Sequence, residues 1–145
     1  MEKIYQTTTA EETFQLGTAM AKEAGPGDVI ALVGDLGVGK TVFAKGFAEG
    51  LGITSPITSP TFTIVCEYEE GRLPLYHFDV YRIEDIEELF EIGFEDYLYG
   101  DGVCLIEWAD RFLEELPEET TVVTIQKDPQ NPAELRRVEV SSIGV

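Results

Sequence analysis

The residues with the most specific chemistry in this sequence form a glycine-rich octapeptide that ends in lysine and threonine. It reads Gly34-Asp35-Leu36-Gly37-Val38-Gly39-Lys40-Thr41 and fits the phosphate-binding pattern G-x-x-x-x-G-K-[ST] without a mismatch. In such a loop, glycines let backbone N–H groups turn inward around a phosphate, the lysine reaches the β- and γ-phosphates, and the hydroxyl ligates Mg²⁺. The octapeptide therefore predicts a site for a nucleoside triphosphate with Mg²⁺.

The segments on either side of the octapeptide have the patterns that such a loop requires. The apolar run Val29–Val33 before it is typical of a buried strand. The stretch from Thr41 to Leu51 after it repeats apolar residues at the spacing of an amphipathic helix. Strand, glycine loop and helix thus occur in the expected order, and the helix N-terminus adds a partial positive charge where the phosphates are expected.

Two acidic residues follow strand-like runs elsewhere in the chain. Asp79 comes after Leu75-Tyr76-His77-Phe78, and Glu107 after Val103-Cys104-Leu105-Ile106. In a doubly wound sheet, ligands collect at the carboxyl ends of the strands, and Mg²⁺ takes oxygen ligands. We assign Asp79 to the metal and the longer Glu107 to the attacking water, although either can serve as the acidic Walker B residue. The candidate metal ligands are Thr41, Asp79 and Glu107, and the candidate catalytic residues are Lys40, Asp79 and Glu107.

Two other side chains near these acids have more than one interpretation. His77 precedes Asp79 by two positions and should share its face of the sheet, where we favour a structural or supporting role over a catalytic one. Arg82 either supplies a charge to the triphosphate as an arginine finger or pairs with neighbouring Glu84 or Asp85.

The remaining patterns predict a single α/β domain over residues 1–145, with a mixed sheet flanked by helices. With 43% hydrophobic residues, the chain can form a core of ordinary size. A capping signal at Thr9 predicts a first helix over about residues 10–23, and apolar spacing from Ile83 to Phe90 predicts another. The other predicted elements are a hairpin of Thr61–Tyr68 with Leu73–Tyr81, a strand at Thr120–Ile125 and a final edge strand at Arg136–Ser142.

Charge and composition restrict the classes of partner. The net charge of -18, from 28 acidic against 10 basic side chains, repels a polyanion, so direct binding of nucleic acid is not expected. No stretch approaches the roughly 20 apolar residues of a membrane span, and the first residues lack the plan of a signal peptide, so we expect a cytoplasmic protein. Cys66 and Cys104 lie in apolar runs without C-x-x-C spacing, which favours buried, reduced thiols.

Five short sequence motifs closely resemble those of the bacterial TsaE (YjeE) family, in the same order and with the same spacing, over roughly residues 10 to 112. They are the octapeptide, Ser59-Pro60-Thr61-Phe62-Thr63, His77-Phe78-Asp79-Val80-Tyr81-Arg82, Gly93-Phe94-Glu95-Asp96-Tyr97 and Leu105-Ile106-Glu107-Trp108. The resemblance implies a P-loop ATPase of tRNA threonylcarbamoyladenosine biosynthesis that is weakly active until its partners, TsaB and TsaD, complete the site. It also implies a switch-like segment at Ser59–Phe62 and a nucleotide close to Trp108.

Together, motif and resemblance define the expected cofactors, ATP and Mg²⁺, and a set of nucleotide-binding residues. That set is Asp35, Leu36, Gly37, Val38, Gly39, Lys40, Thr41, Val42 and Trp108. A small-molecule kinase is the alternative, but it needs an arginine-rich lid, and the arginines here are scattered. A GTPase is less favoured, because its guanine-binding motif N-K-x-D needs an asparagine followed by lysine. The only asparagine of the sequence, Asn131, is followed by Pro132.

Overall fold

A mixed sheet lies at the centre of the computed structural model, which describes residues 3–34, 39–58, 64–128, 130 and 136–142. The described chain contains seven strands in the spatial order β1-β7-β6-β2-β5-β4-β3. The four strands β6, β2, β5 and β4 pair in parallel, and the outer pairs are antiparallel. The strands are β1 (Lys3–Thr7), β2 (Val29–Val33), β3 (Val65–Tyr68), β4 (Leu75–Asp79), β5 (Val103–Glu107), β6 (Thr121–Lys127) and β7 (Arg136–Ser142). This arrangement confirms the predicted α/β class.

Helices connect the parallel strands, and their ends follow the capping signals of the sequence. The Thr9 side chain accepts a hydrogen bond from the Glu12 backbone, which fixes the start of the first helix. Asp85 and Glu88 form a reciprocal capping box at the third helix, so the predicted helix starts three residues after Ile83. The helices are α1 (Ala10–Glu23), α2 (Lys40–Gly50), α3 (Ile86–Glu91) and α4 (Phe94–Leu98), and a 3₁₀-helical segment spans Ala109–Glu115.

Each face of the sheet buries its own apolar cluster. Helices α1 and α2 cover one face, where Phe43 and Phe47 of α2 pack in the same cluster as Leu32 and Leu105. The other face is covered by α3, α4 and the 3₁₀ segment, and its cluster includes Phe78 and Phe94. Because the central strands are buried on both sides, their sequences are nearly continuous runs of apolar residues.

The edge of the sheet differs from the sequence-based prediction. The strand at Arg136–Ser142 was predicted as an edge strand, which is wrong: β7 lies between β1 and β6 and pairs with both. The edge on that side is β1, which was not predicted because all but the last of its residues are exposed and carry little apolar pattern. The short helix α4 was not predicted either.

The two cysteines differ in burial. Cys104 is buried on β5 and donates a hydrogen bond from its thiol to the Tyr97 carbonyl. Desolvation raises the pKa of the Cys104 thiol to about 12, so it stays protonated at neutral pH. Cys66 is only half-buried, which corrects the expectation of two buried thiols. In the chain as described, no helix has the length and apolar character needed to cross a membrane.

Candidate functional site

Lys40 is the first residue of α2, and the glycine before it sets the geometry of that helix start. Gly39 has a φ of +108°, a left-handed conformation that side-chain-bearing residues rarely adopt. Its carbonyl accepts the first helical hydrogen bond from the Phe43 N–H at 3.0 Å. The residues between Gly34 and Gly39, which are predicted to bind nucleotide, lie outside the described residues, and their roles stay predictions; they are Asp35, Leu36, Gly37 and Val38.

The Lys40 ammonium group is buried between a backbone carbonyl and an aromatic ring. The residue is only 5% exposed, and its Nζ donates a hydrogen bond to the Gly34 carbonyl at 2.6 Å. Nζ also lies 3.3 Å from the centroid of the Trp108 ring, within the range of a cation–π interaction. The structure thereby joins the predicted phosphate lysine to the tryptophan. Next in α2, Thr41 is exposed and Val42 half-buried.

Trp108 forms a wall of the site and has an unusual backbone conformation. Its φ is +63°, in the left-handed region, and its ring lies 4.8 Å from the Tyr81 ring between centroids. Arg111 supports this wall, because its Nη2 donates hydrogen bonds to the carbonyls of Tyr81 at 2.8 Å and Ile83 at 2.7 Å. Strained backbone of this kind costs on the order of 1 kcal/mol or more and is often found at functional sites.

The two predicted acids are brought side by side at the ends of adjacent parallel strands. Asp79 of β4 is paired in register with Glu107 of β5, and Glu107 is in turn paired with Leu32 of β2. Both carboxylates are buried, at 6% and 4% exposure, on the face of the sheet that α2 covers. An Asp79 carboxylate oxygen accepts a hydrogen bond from the Tyr81 N–H at 3.0 Å. Both acids therefore lie at strand ends, as predicted, and the roles assigned to them stay predictions.

His77 contacts one of the two acids directly. It lies two residues before Asp79 on the same face, as expected, and its Nε2 is 2.6 Å from Oε2 of Glu107. The His77 ring is 2% exposed. Its other nitrogen, Nδ1, is buried and has no hydrogen-bond partner among the described residues. Arg82 is exposed, and its role stays a prediction.

A cavity of about 180 Å³ opens at the carboxyl ends of β2, β5 and β6, beside Trp108. Sequence reasoning missed the residues that β6 and the 3₁₀ segment contribute to it, because the neighbours of β2 could not be assigned from patterns alone. Parallel pairing of β6 with β2 is the feature that would have identified them. The cavity is lined by Val33, Gly34, Trp108, Asp110, Thr124 and Gln126.

The loop after α2 is anchored at its stem by a distant carboxylate. Glu70 accepts hydrogen bonds from the backbone N–H groups of Ser55 at 2.6 Å and Thr54 at 2.8 Å. The bond from the Ser55 backbone is the main cause that lowers the pKa of Glu70 from its usual value. The predicted switch-like segment, Ser59 to Phe62, begins beyond this stem and lies outside the described residues.

The fold and the position of Lys40 define the class of protein. The sheet is mixed, and the buried strand β2 is followed in sequence by the glycine-rich octapeptide and by a helix that begins with lysine. Acidic residues lie at the ends of neighbouring strands. This is the arrangement of a P-loop NTPase. The structure is similar to the crystal structure of YdiB from Bacillus subtilis, with a TM-score of 0.84 and 42% sequence identity over 99% of this chain and 87% of that one.

Sequence comparisons narrow the class to one family. The family model described as "Threonylcarbamoyl adenosine biosynthesis protein TsaE" matches residues 7–138. The tRNA threonylcarbamoyladenosine biosynthesis protein TsaE of Bacillus subtilis (strain 168) is 50% identical over 131 residues, which cover 90% of this chain and 82% of the relative. Its counterpart in Treponema pallidum (strain Nichols) is 48% identical over 118 residues, or 81% of this chain and 87% of the relative. The chain belongs to the TsaE family.

Proposed function

We propose that this chain binds ATP with Mg²⁺ and hydrolyses it as a component of tRNA threonylcarbamoyladenosine biosynthesis. The relatives carry that pathway in their names, and the resemblance of the motifs adds TsaB and TsaD as the partners that complete the site. We also propose that the chain acts in the cytoplasm.

The observation that carries the proposal is the convergence of Lys40, Asp79 and Glu107. The lysine starts α2, and the two acids end the strands β4 and β5 on the face that this helix covers. A buried ammonium group beside a glycine loop suits the β- and γ-phosphates, because a desolvated charge interacts more strongly with an anion than an exposed one. Buried carboxylates at the ends of adjacent strands suit a bound cation or a water molecule.

The residues present fit Mg²⁺ with few protein ligands. The described ranges contain no cluster of three or more His, Cys, Asp or Glu side chains that could hold a metal ion. Mg²⁺ commonly keeps several water molecules and binds through one or two protein oxygens together with substrate phosphates. The exposed Thr41 hydroxyl and the Asp79 carboxylate are the oxygens that we propose for it.

In this proposal each residue has a separate task. Bound Mg²⁺ would supply positive charge to the phosphate oxygens. Lys40 would exchange its contact with the Gly34 carbonyl for one with a phosphate oxygen, and Thr41 and Asp79 would supply metal ligands. Glu107, held by His77, would orient the attacking water molecule and take up its proton. The wall of Trp108 and Tyr81 would exclude bulk water from this point.

Two substitutions separate the proposed tasks of the acids. Glu107→Gln keeps the shape of the side chain and its hydrogen bond to His77 but removes the charge that orients water, so hydrolysis should fall by about tenfold or more while ATP still binds. Asp79→Asn should instead weaken the dependence of ATP binding on Mg²⁺. Calorimetric titrations with and without Mg²⁺, together with single-turnover hydrolysis in the presence of the partners, measure both effects.

Glu118→Gln provides a control with the same substitution at an exposed carboxylate that does not line the cavity, and it should affect hydrolysis much less than Glu107→Gln. Normal hydrolysis by Glu107→Gln in the full partner mixture would remove Glu107 from the proposed mechanism.

The same hydrolysis assay also tests the alternative function, a small-molecule kinase. That alternative requires a phosphorylated small molecule as product, whereas the proposed ATPase releases inorganic phosphate in amounts equal to the ADP formed.

A further inference from the structure

His77 is a polar residue in the middle of a buried strand, where an apolar side chain would cost less to desolvate. Cys66 of β3 lies opposite it on one side and Leu105 of β5 on the other. The neighbouring position on the same face, Leu75, belongs to the apolar cluster that packs under α2. Burying an imidazole there is favourable only if its polar atoms find partners.

The partner that the structure provides is the Glu107 carboxylate. The distance of 2.6 Å between Nε2 and Oε2 is that of a short hydrogen bond, and the side chains are 2% and 5% exposed. A buried carboxylate that lost this donor would keep the cost of its desolvation without the compensating bond. The hydrogen bond is made by Oε2, so the second oxygen of the same carboxylate, Oε1, is held in a fixed orientation by this contact.

The hydrogen bonds of the ring also indicate which nitrogen carries the proton. A carboxylate only accepts, so Nε2 must donate to it. The buried Nδ1 has no acceptor within the described ranges, and protonation there would bury a second N–H group without a partner. The geometry therefore places a proton on Nε2, which donates to Glu107. In that form Nε2 is not available to remove a proton from water.

The two acids at the strand ends are supported by different groups. The Asp79 carboxylate accepts a hydrogen bond from the backbone N–H of Tyr81, a donor that does not belong to the His77 side chain. Glu107 receives its hydrogen bond from the side chain of His77. Replacing His77 should therefore disturb Glu107 far more than it disturbs Asp79.

We propose that His77 is a positioning residue for ATP hydrolysis: its Nε2–H group fixes Oε2 of Glu107 and thereby directs Oε1 toward the attacking water. This inference rests on the proposed ATPase function. It assigns His77 to the chemical step rather than to nucleotide binding or proton transfer, and it requires that His77 act only through Glu107.

The test uses four variants in the presence of the partners: His77→Leu, His77→Gln, Glu107→Gln and the double variant His77→Leu/Glu107→Gln. Leucine keeps much of the volume without a donor, whereas the glutamine amide can place an N–H group near the position of Nε2. For His77→Leu we expect about a tenfold loss in kcat, with KM and the dissociation constant of ATP changed by less than about twofold. His77→Gln should recover most of the rate.

The double variant gives the readout that a purely structural role would not produce. If His77 acts through Glu107, adding His77→Leu to Glu107→Gln should cause no further loss of kcat. An undiminished kcat in His77→Leu, or an equal further loss in the double variant, would overturn the proposal. If His77→Leu does not fold, His77→Gln alone must retain kcat within about threefold for the positioning role to stand.

The proposed function and this inference fail in different ways. Absence of ATP hydrolysis by the wild-type chain with its partners would overturn the proposed function and this inference with it. Normal wild-type hydrolysis together with a wild-type rate for His77→Leu would overturn only the role of His77.

Discussion

At the scale of single residues, Lys40 has the most directly testable role. Lys40→Ala removes the cation that should face the β- and γ-phosphates, and we expect triphosphate binding to weaken by about 2 to 4 kcal/mol. Calorimetry with ATP and Mg²⁺ measures this loss. Lys45→Ala is a matched control, because Lys45 lies in the same helix with an exposed side chain and should leave the dissociation constant almost unchanged. Equal affinities of the folded Lys40→Ala variant and the wild type would contradict the assignment of the phosphate loop.

The contact between Lys40 and Trp108 gives the site a built-in optical reporter. Trp108 is the only tryptophan, and its ring lies 3.3 Å from the Lys40 ammonium nitrogen. Binding of a triphosphate should draw the ammonium group toward the phosphates and change the charge over the ring, so tryptophan emission should shift on titration with ATP and Mg²⁺. A constant emission spectrum at saturating ATP would place Trp108 away from the nucleotide.

At the scale of elements, the position of α2 depends on its close packing against α1. A Cβ atom on Gly46 would lie 2.0 Å from the carbonyl oxygen of Phe14, and one on Gly17 would lie 2.4 Å from that of Phe43. These glycines allow the two helix backbones to approach, which sets where α2 begins and therefore where Lys40 lies.

Gly46→Ala should force α1 and α2 apart and lower the free energy of unfolding by roughly 1 to 3 kcal/mol, as overpacking of a close interface usually does. Gly25→Ala is the control, because a Cβ atom there meets nothing within 4 Å. Thermal unfolding of both variants, followed by circular dichroism, compares them. A melting temperature of Gly46→Ala equal to that of Gly25→Ala would show that the helices can adjust at no cost.

The elements also show how far the sequence determines this site. The strand β2 and the helix α2 could be predicted because their signals are local: an apolar run, a glycine loop and helical spacing. The acids could be predicted because parallel strands end at the same edge. The hydrogen bond between His77 and Glu107 and the contact between Lys40 and Trp108 could not, because each joins residues that are 30 or more positions apart and depends on the register of the sheet. The pairing of β1 with β7 joins the two ends of the described chain and leaves no local pattern.

At the scale of the whole molecule, the net charge opposes direct contact with RNA, although the relatives are named for a tRNA modification. The net charge is -18. Affinity for nucleic acid comes mainly from Lys and Arg side chains that displace counterions from the phosphates. Two of the arginines are already engaged within the fold: Arg111 binds the carbonyls beside Trp108, and Arg72 binds those of Ala21 and Ala24 at the end of α1. Contact with tRNA is therefore expected to pass through other chains.

The last prediction concerns the proposed ATPase activity and the expected lack of direct tRNA binding. The chain alone should not retain tRNA, because its net charge is strongly negative. It should also hydrolyse ATP slowly, because P-loop enzymes commonly lack a transition-state group until a partner supplies or orders it. When that group is an arginine, its effect on the rate is about 10³ to 10⁵. Steady-state hydrolysis should be measured with the chain alone, with tRNA alone and with the TsaB–TsaD pair. We expect a marked rise only with the pair, and ATP should favour association through the loop from Ser55 to Phe62. Strong stimulation by tRNA in the absence of the pair would instead identify a directly RNA-dependent ATPase.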